Sequence, residues 1–302
     1  MTSSSPLTVA TTVLPVEDGG PYGIVAGPDG ALWFTLVHAG RIGRMTPDGD
    51  LATFALDEAL AGPVVITTGP DGALWFTAST GHHVGRITVD GEVTAFAPPT
   101  PGSGPFGIAA GPDGAMWFTG MNSDTVGRIA PDGEVVEYPV GTAGAFPSAL
   151  VAGPDGALWF TMNQADAVGR VATDGAITTF HLPTDGAAPV GLALGPDGAL
   201  WFVEIGAGQV GRLTVGGEVT EFPLPDREAR PHAIAAGPDG RMWFTEWGSA
   251  RVGAIDTNGR IEHVALAPGS EPHGIALGPD GAVWVALEAG SLVRLDPAAE
   301  AL

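Results

Sequence analysis

Residues 231–266 read PHAIAAGPDGRMWFTEWGSARVGAIDTNGRIEHVAL, and this stretch decides the fold. His232–Ala236 is a short apolar run that ends in a Gly-Pro-Asp-Gly turn. Arg241–Glu246 and Arg251–Ile255 follow as second and third runs, and Asn258-Gly259 separates the third from Ile261–Leu266. Asp-Gly and Asn-Gly both tolerate positive φ and are hairpin turn signals. The stretch therefore predicts four short antiparallel strands, and no helix of useful length appears between them.

The same unit recurs. Gly-Pro-Asp-Gly begins at Gly27, Gly69, Gly111, Gly153, Gly195, Gly237 and Gly278, with five intervals of 42 residues and a last one of 41. Each copy is followed by a tryptophan: Trp33, Trp75, Trp117, Trp159, Trp201, Trp243 and Trp284. Seven copies at that period, each made of four strands, predict an all-β, seven-bladed propeller with four antiparallel strands per blade. The last copy stops after a third strand, Ser291–Leu295, while an orphan strand at 9–14 precedes the first. Pairing the two closes the ring, so the expected organisation is a single domain over 1–302. Strand 9–14 completes blade 7, and 21–296 supply blades 1 to 7. An open solenoid would instead need polar capping repeats.

Composition narrows the function. The chain has 302 residues and a formal net charge of −22, which argues against nucleic acid and against anionic membrane surfaces as partners. Cysteine is absent, which removes disulfides, thiolate nucleophiles and Cys-ligated zinc. The opening MTSSSPLTVA has neither a basic nor an apolar signal-peptide region, so a cytoplasmic protein is expected, and a monomer. No apolar run approaches the ~20 residues of a spanning helix.

Seven internal copies separate scaffold from site. Whatever every blade has is expected to serve the blade: the turn Asp such as Asp29, the Trp as inter-blade packing, and the repeated Val-Gly-Arg. Departures are more informative. After the proline that opens each first strand stand Tyr22, Val64, Phe106, Ser148, Val190, His232 and His273. Tyr22, His232 and His273 belong to blades 1, 6 and 7, which are neighbours in a closed ring. Before that proline stand Gly20, Gly62, Gly104, Phe146, Ala188, Arg230 and Glu271; four residues after each Trp stand Val37, Ser79, Met121, Asn163, Ile205, Trp247 and Glu288. Glu271, His273 and Glu288 are thus expected at one mouth of blade 7. Two carboxylates beside an imidazole suit a hard cation next to a base with a pKa near 6.5. Glu204, Glu246 and Trp247 lie near the same rim, whereas His38, His82, His83, His181 and His263 share no such register and are expected on the surface.

Pro-Tyr22-Gly-Ile, Pro-His232-Ala-Ile, Phe-Thr-Glu246-Trp247 and Glu271-Pro-His273-Gly-Ile, set in the seven-fold repeat, resemble the virginiamycin B (streptogramin B) lyase family over almost the whole chain. The resemblance implies a Mg²⁺-dependent lyase that linearises cyclic depsipeptide antibiotics by elimination across the ester, without hydrolysis, and so confers resistance. It further implies His273 as general base, Glu271 and Glu288 as Mg²⁺ ligands, His232 as a substrate-binding residue and Tyr22 as pocket lining. Both imidazoles occupy the same register, so the residues alone leave open which is the base. A metal-dependent propeller lactonase or esterase, and a non-catalytic binding propeller, are the alternatives.

Overall fold

A computed structural model describes residues 9–16 and 19–297. The signal-peptide reading of the first residues, and both extremes of the 1–302 domain span, fall outside the described residues. Seven four-stranded antiparallel sheets follow one another around a central axis. Blade 6 is Pro231–Ala236, Met242–Glu246, Arg251–Ile255 and Ile261–Ala265, as the opening stretch predicts. In blade 7, strand Val9–Pro15 pairs antiparallel with Ser291–Pro297, from Val9 opposite Pro297 to Pro15 opposite Ser291. The two ends of the chain share one sheet, in which Val9–Pro15 covers the edge that Ser291–Pro297 would otherwise present.

The conserved parts of the repeat hold blades together. Trp243 of blade 6 packs with Ile275, Val283 and Val285 of blade 7, and Trp284 of blade 7 with Ile24, Leu32 and Phe34 of blade 1. Each turn aspartate does more than turn the chain. In blade 1, Asp29 Oδ1 accepts from Trp33 Nε1 at 3.0 Å and Oδ2 from Arg44 Nε at 2.6 Å. The glycine of Val-Gly-Arg, and of Ile42-Gly43-Arg44 in blade 1, makes room for the neighbouring phenyl ring. A Cβ on Gly43 would stand 2.2 Å from Phe34 Cε2. Burying such a ring contributes about 1.5–3 kcal/mol, which a side chain there would forfeit. Blade 7 meets the same demand differently, pairing Val285 with Val293 where blade 1 pairs Phe34 with Gly43.

Two further regularities position the mouth of the propeller. First, the residue before the opening proline is left-handed in every blade, with φ between 48° at Ala188 and 65° at Gly62, and Glu271 (51°) and Arg230 (49°) share it. Holding a non-glycine residue there costs about 1–2 kcal/mol. Second, its carbonyl accepts the N–H of the residue four after the Trp. Val37 donates to Gly20 at 3.1 Å, Trp247 to Arg230 at 3.2 Å and Glu288 to Glu271 at 3.0 Å. The two positions that depart from the repeat are therefore backbone neighbours in each blade.

Candidate active site

The first strand of each blade lines the axis, and its ladder is interrupted at the mouth. In blade 7 the register shifts between Pro272 and Ile275, in blade 6 between Pro231 and Ile234, in blade 1 between Pro21 and Ile24. Bulges of this kind re-aim side chains, and Tyr22, His232 and His273 all lie within them. The three rings meet. Tyr22 stacks on His273 with centroids 4.5 Å apart, His232 stands edge-on to His273 at 4.7 Å, and Tyr22 Oη lies 3.1 Å from His232 Nε2. The strand Pro272–Leu277 is tied to blade 6, because Thr245 Oγ1 donates to the His273 carbonyl at 2.8 Å. Beneath the rings an axial cavity of about 160 Å³ runs between the first strands, with Ile24, Phe106, Val190 and Ile275 in its wall.

Glu288 reaches the cluster from the second strand of blade 7. Its Oε2 stands 2.5 Å from His273 Nε2, and its Oε1 lies 2.7 Å from His38 Nε2 of blade 1. Glu271 is exposed, one backbone hydrogen bond away from Glu288, and its charge acts on His273. On the other side, Trp247 lies 6.2 Å from His273 between ring centroids, and the Arg230 guanidinium sits 5.5 Å above the Trp247 ring. Arg230, Trp247 and Glu271 share a groove of about 870 Å³ between the rims of blades 6 and 7.

The electrostatics follow from this crowding. Burial, and then the neighbouring His273, push the His232 pKa down to about 3, so that ring is neutral at physiological pH. Burial and the Glu288 charge raise Tyr22 far above the ordinary tyrosine value. For His273 burial is again the largest influence; Glu288 and Glu271 oppose it, and the net shift is downward. The expectation of an imidazole near its ordinary pKa is corrected accordingly: that of His273 lies below it. Its Nδ1 has no hydrogen-bond partner among the described residues, and its Nε2 faces Glu288.

Other expectations need correction. His38 is exposed as expected but is bonded to Glu288, and His263 is not a surface residue. Its side chain is 10% exposed and its Nε2 lies 2.8 Å from Glu246 Oε1. Glu246 is itself buried, behind the rim rather than on it, with Arg251 Nε 3.4 Å from its second oxygen. Glu204 is wholly buried in blade 5, where Gln209 Nε2 donates to it at 2.6 Å, and none of its hydrogen bonds reaches the ring cluster. His181 is exposed, and His83 Nδ1 lies 2.7 Å from the Gly81 carbonyl oxygen. A comparison one residue further along would have singled out His38. Five after each Trp stand His38, Thr80, Asn122, Gln164, Gly206, Gly248 and Ala289, and the histidine alone among them is titratable.

Among the described residues no group of three or more His, Cys, Asp or Glu side chains forms a metal cage. Mg²⁺ does not require one: it commonly takes one or two carboxylates and keeps its waters. Glu271 and Glu288, hard oxygen donors side by side on the backbone and next to His273, fit such an ion.

A seven-bladed propeller with aromatic, imidazole and carboxylate groups from three consecutive blades at one mouth defines the class. Residues 7–295 match the model of the virginiamycin B lyase family, and the chain belongs to that family. Virginiamycin B lyase of Saccharopolyspora erythraea is 64% identical over 44 residues, a match spanning 15% of this chain and 15% of that protein. A streptogramin B lyase structure superimposes with a TM-score of 0.92 at 38% identity, covering 95% of this chain and 97% of the other. A catalytically inactive histidine-to-alanine variant of virginiamycin B lyase from Staphylococcus aureus, with quinupristin, also gives 0.92, at 40% identity over 95% and 99% of the two chains.

Proposed function

We propose that this protein is a lyase that opens streptogramin B type cyclic depsipeptides by elimination across the ester bond, with His273 as general base. The observation that carries this reading is the His273 imidazole at the mouth of blade 7, held between the rings of Tyr22 and His232, with Glu288 Oε2 2.5 Å from its Nε2 and the Glu271 charge acting on it. Family membership and the Staphylococcus aureus variant seen with quinupristin support the substrate class.

The chain's residues divide the work. His273 takes the proton α to the carbonyl of the residue whose side-chain oxygen closes the ring. The electron pair left behind becomes a Cα–Cβ double bond as the Cβ–O bond breaks, and the ester carboxylate departs. No water adds, so the product has the mass of the substrate. Such a proton is too weakly acidic for imidazole unless the developing negative charge is stabilised. Mg²⁺ held by Glu271 and Glu288 would supply that stabilisation as a Lewis acid on the carbonyl oxygen. His232, neutral and tied to Tyr22, binds and orients the substrate, and the Tyr22 ring packs on one face of His273 and limits the approach to the other.

The test is mass spectrometry of a streptogramin B incubated with the protein and Mg²⁺. Ring opening at unchanged mass, lost on chelation and weakened in Glu271→Gln and Glu288→Gln, is the expected result. A gain of one water would make the protein a hydrolase, and an intact ring would leave it a binding propeller.

A further inference from the structure

We infer that His38 is a positioning residue: from blade 1 it holds the Glu288 carboxylate of blade 7 in the orientation the site uses. This rests on the function proposed above. The two side chains meet across the junction where the ring closes, His38 Nε2 lying 2.7 Å from Glu288 Oε1. The other oxygen, Oε2, is the one against His273. Glu288 thus stands between two imidazoles and has one oxygen for each. A carboxylate at a strand end, 22% exposed in its side chain, has several rotamers open to it. Contact with His38 selects the one that turns Oε2 toward His273.

An exposed hydrogen bond alone would be weak, because water competes for both partners. His38 is 64% exposed, but its ring has a seat. Its loop is pinned by two backbone bonds, Val37 N–H to the Gly20 carbonyl at 3.1 Å and His38 N–H to the Gly19 carbonyl at 3.0 Å. The ring then lies over the bare Cα of Gly20. A Cβ there would stand 2.5 Å from His38 Cδ2 and 3.3 Å from Glu288 Cγ, so both side chains rest on that glycine. The left-handed φ does not by itself demand glycine, since Ala188 adopts φ 48° at the corresponding place in blade 5. Room for His38 and Glu288 is what glycine provides here.

Two substitutions separate this role from a general structural one. His38→Ala removes the contact, whereas Gly20→Ala keeps the histidine and displaces its ring. Both should weaken Mg²⁺ binding severalfold in calorimetry without substrate. Both should also lower kcat on a streptogramin B about tenfold with little change in KM, as expected when a hydrogen bond to a charged group is lost. His38→Gln, which keeps an amide donor of similar reach, should recover most of both, and Thr80→Ala, at the matching place in blade 2, should match the wild type. Wild-type Mg²⁺ affinity and kcat in His38→Ala would overturn the inference while leaving the proposed function intact. A wild type that neither binds Mg²⁺ nor opens the ring would overturn both.

Discussion

Tyr22 Oη lies 3.1 Å from His232 Nε2 and so joins blade 1 to blade 6 across the mouth of blade 7. The pair is neutral on both sides, because burial disfavours the charged form of each. Between these partners stands His273, stacked on one ring and edge-on to the other. Groups distant in sequence thus fix the His273 ring from two sides, while Glu288 Oε2 stands 2.5 Å from its Nε2. Rigid support of this kind is what the proposed role of His273 as general base requires.

The two histidines should therefore fail differently. His273→Ala should lower kcat by about 10²–10⁴-fold and leave substrate binding in place, as loss of an acid–base residue does. His232→Ala should raise KM at least as much as it lowers kcat, because it removes positioning. A deuterium at the substrate α-carbon should slow the wild type where proton abstraction limits the rate. Steady-state kinetics of both variants decide the assignment: near-normal kcat in His273→Ala with none in His232→Ala would exchange the roles.

The fold was legible because seven copies of one unit reveal its turns, its strand order and its missing last strand. The ring cluster was legible for a related reason. Tyr22, His232 and His273 depart from the repeat at one register, and blade order makes their neighbourhood a matter of counting. His38 and His263 escaped because their partners lie in other elements. His38 meets a blade at the far end of the chain, and His263, on the outer strand opposite Gly253, turns inward to Glu246. The lowered pKa of His273 was equally out of reach, since it depends on how tightly neighbouring rings exclude water.

Blades 5 and 6 place Glu204 and Glu246 at the same point, three residues after the Trp, with different company. Glu246 has His263 and Arg251; Glu204 has Gln209, with Glu221 close enough to disfavour its charge. Burial raises the Glu204 pKa from 4.5 to about 7; Gln209 and Arg227 oppose the rise, and Glu221 and Asp166 add to it. The folded state therefore keeps a proton that the unfolded chain releases. This contribution to stability is complete below about pH 4.5 and is lost as pH rises through about 7. A shift of this size corresponds to about 3 kcal/mol. In urea unfolding at pH 5 and pH 8, Glu204→Gln should lose less stability between the two than the wild type does. Equal losses would show that Glu204 titrates normally.

Blade 6 also lacks the arginine of the Val-Gly-Arg repeat, carrying Ala254 where blade 1 has Arg44, and it supplies the charge from another strand. Arg241, in the place of an alanine such as Ala31, sends Nε to Asp239 Oδ2 at 2.7 Å and Nη1 to Glu262 Oε2 at 2.7 Å. Its guanidinium lies 5.6 Å from the Trp243 ring, much as Arg44 lies 6.0 Å from Trp33. One guanidinium bound to the turn aspartate thus serves each blade, whichever strand bears it, and in blades 1, 3, 5 and 6 it also lies over the tryptophan. Arg241→Ala should destabilise the protein by about 1–2 kcal/mol, since it removes a partly buried ion pair and a cation–π contact together. Ala254 faces Trp243 across the ladder as Arg44 faces Trp33. Adding Ala254→Arg to the first variant should therefore return most of the loss, the emptied place of Arg241 giving the new side chain room over the ring. Ala254→Arg alone, with Arg241 still over the ring, should not stabilise. Thermal unfolding of the three variants checks this, and a double variant no more stable than Arg241→Ala would mean that the strand of origin, and not the guanidinium over the tryptophan, sets the stability of the blade.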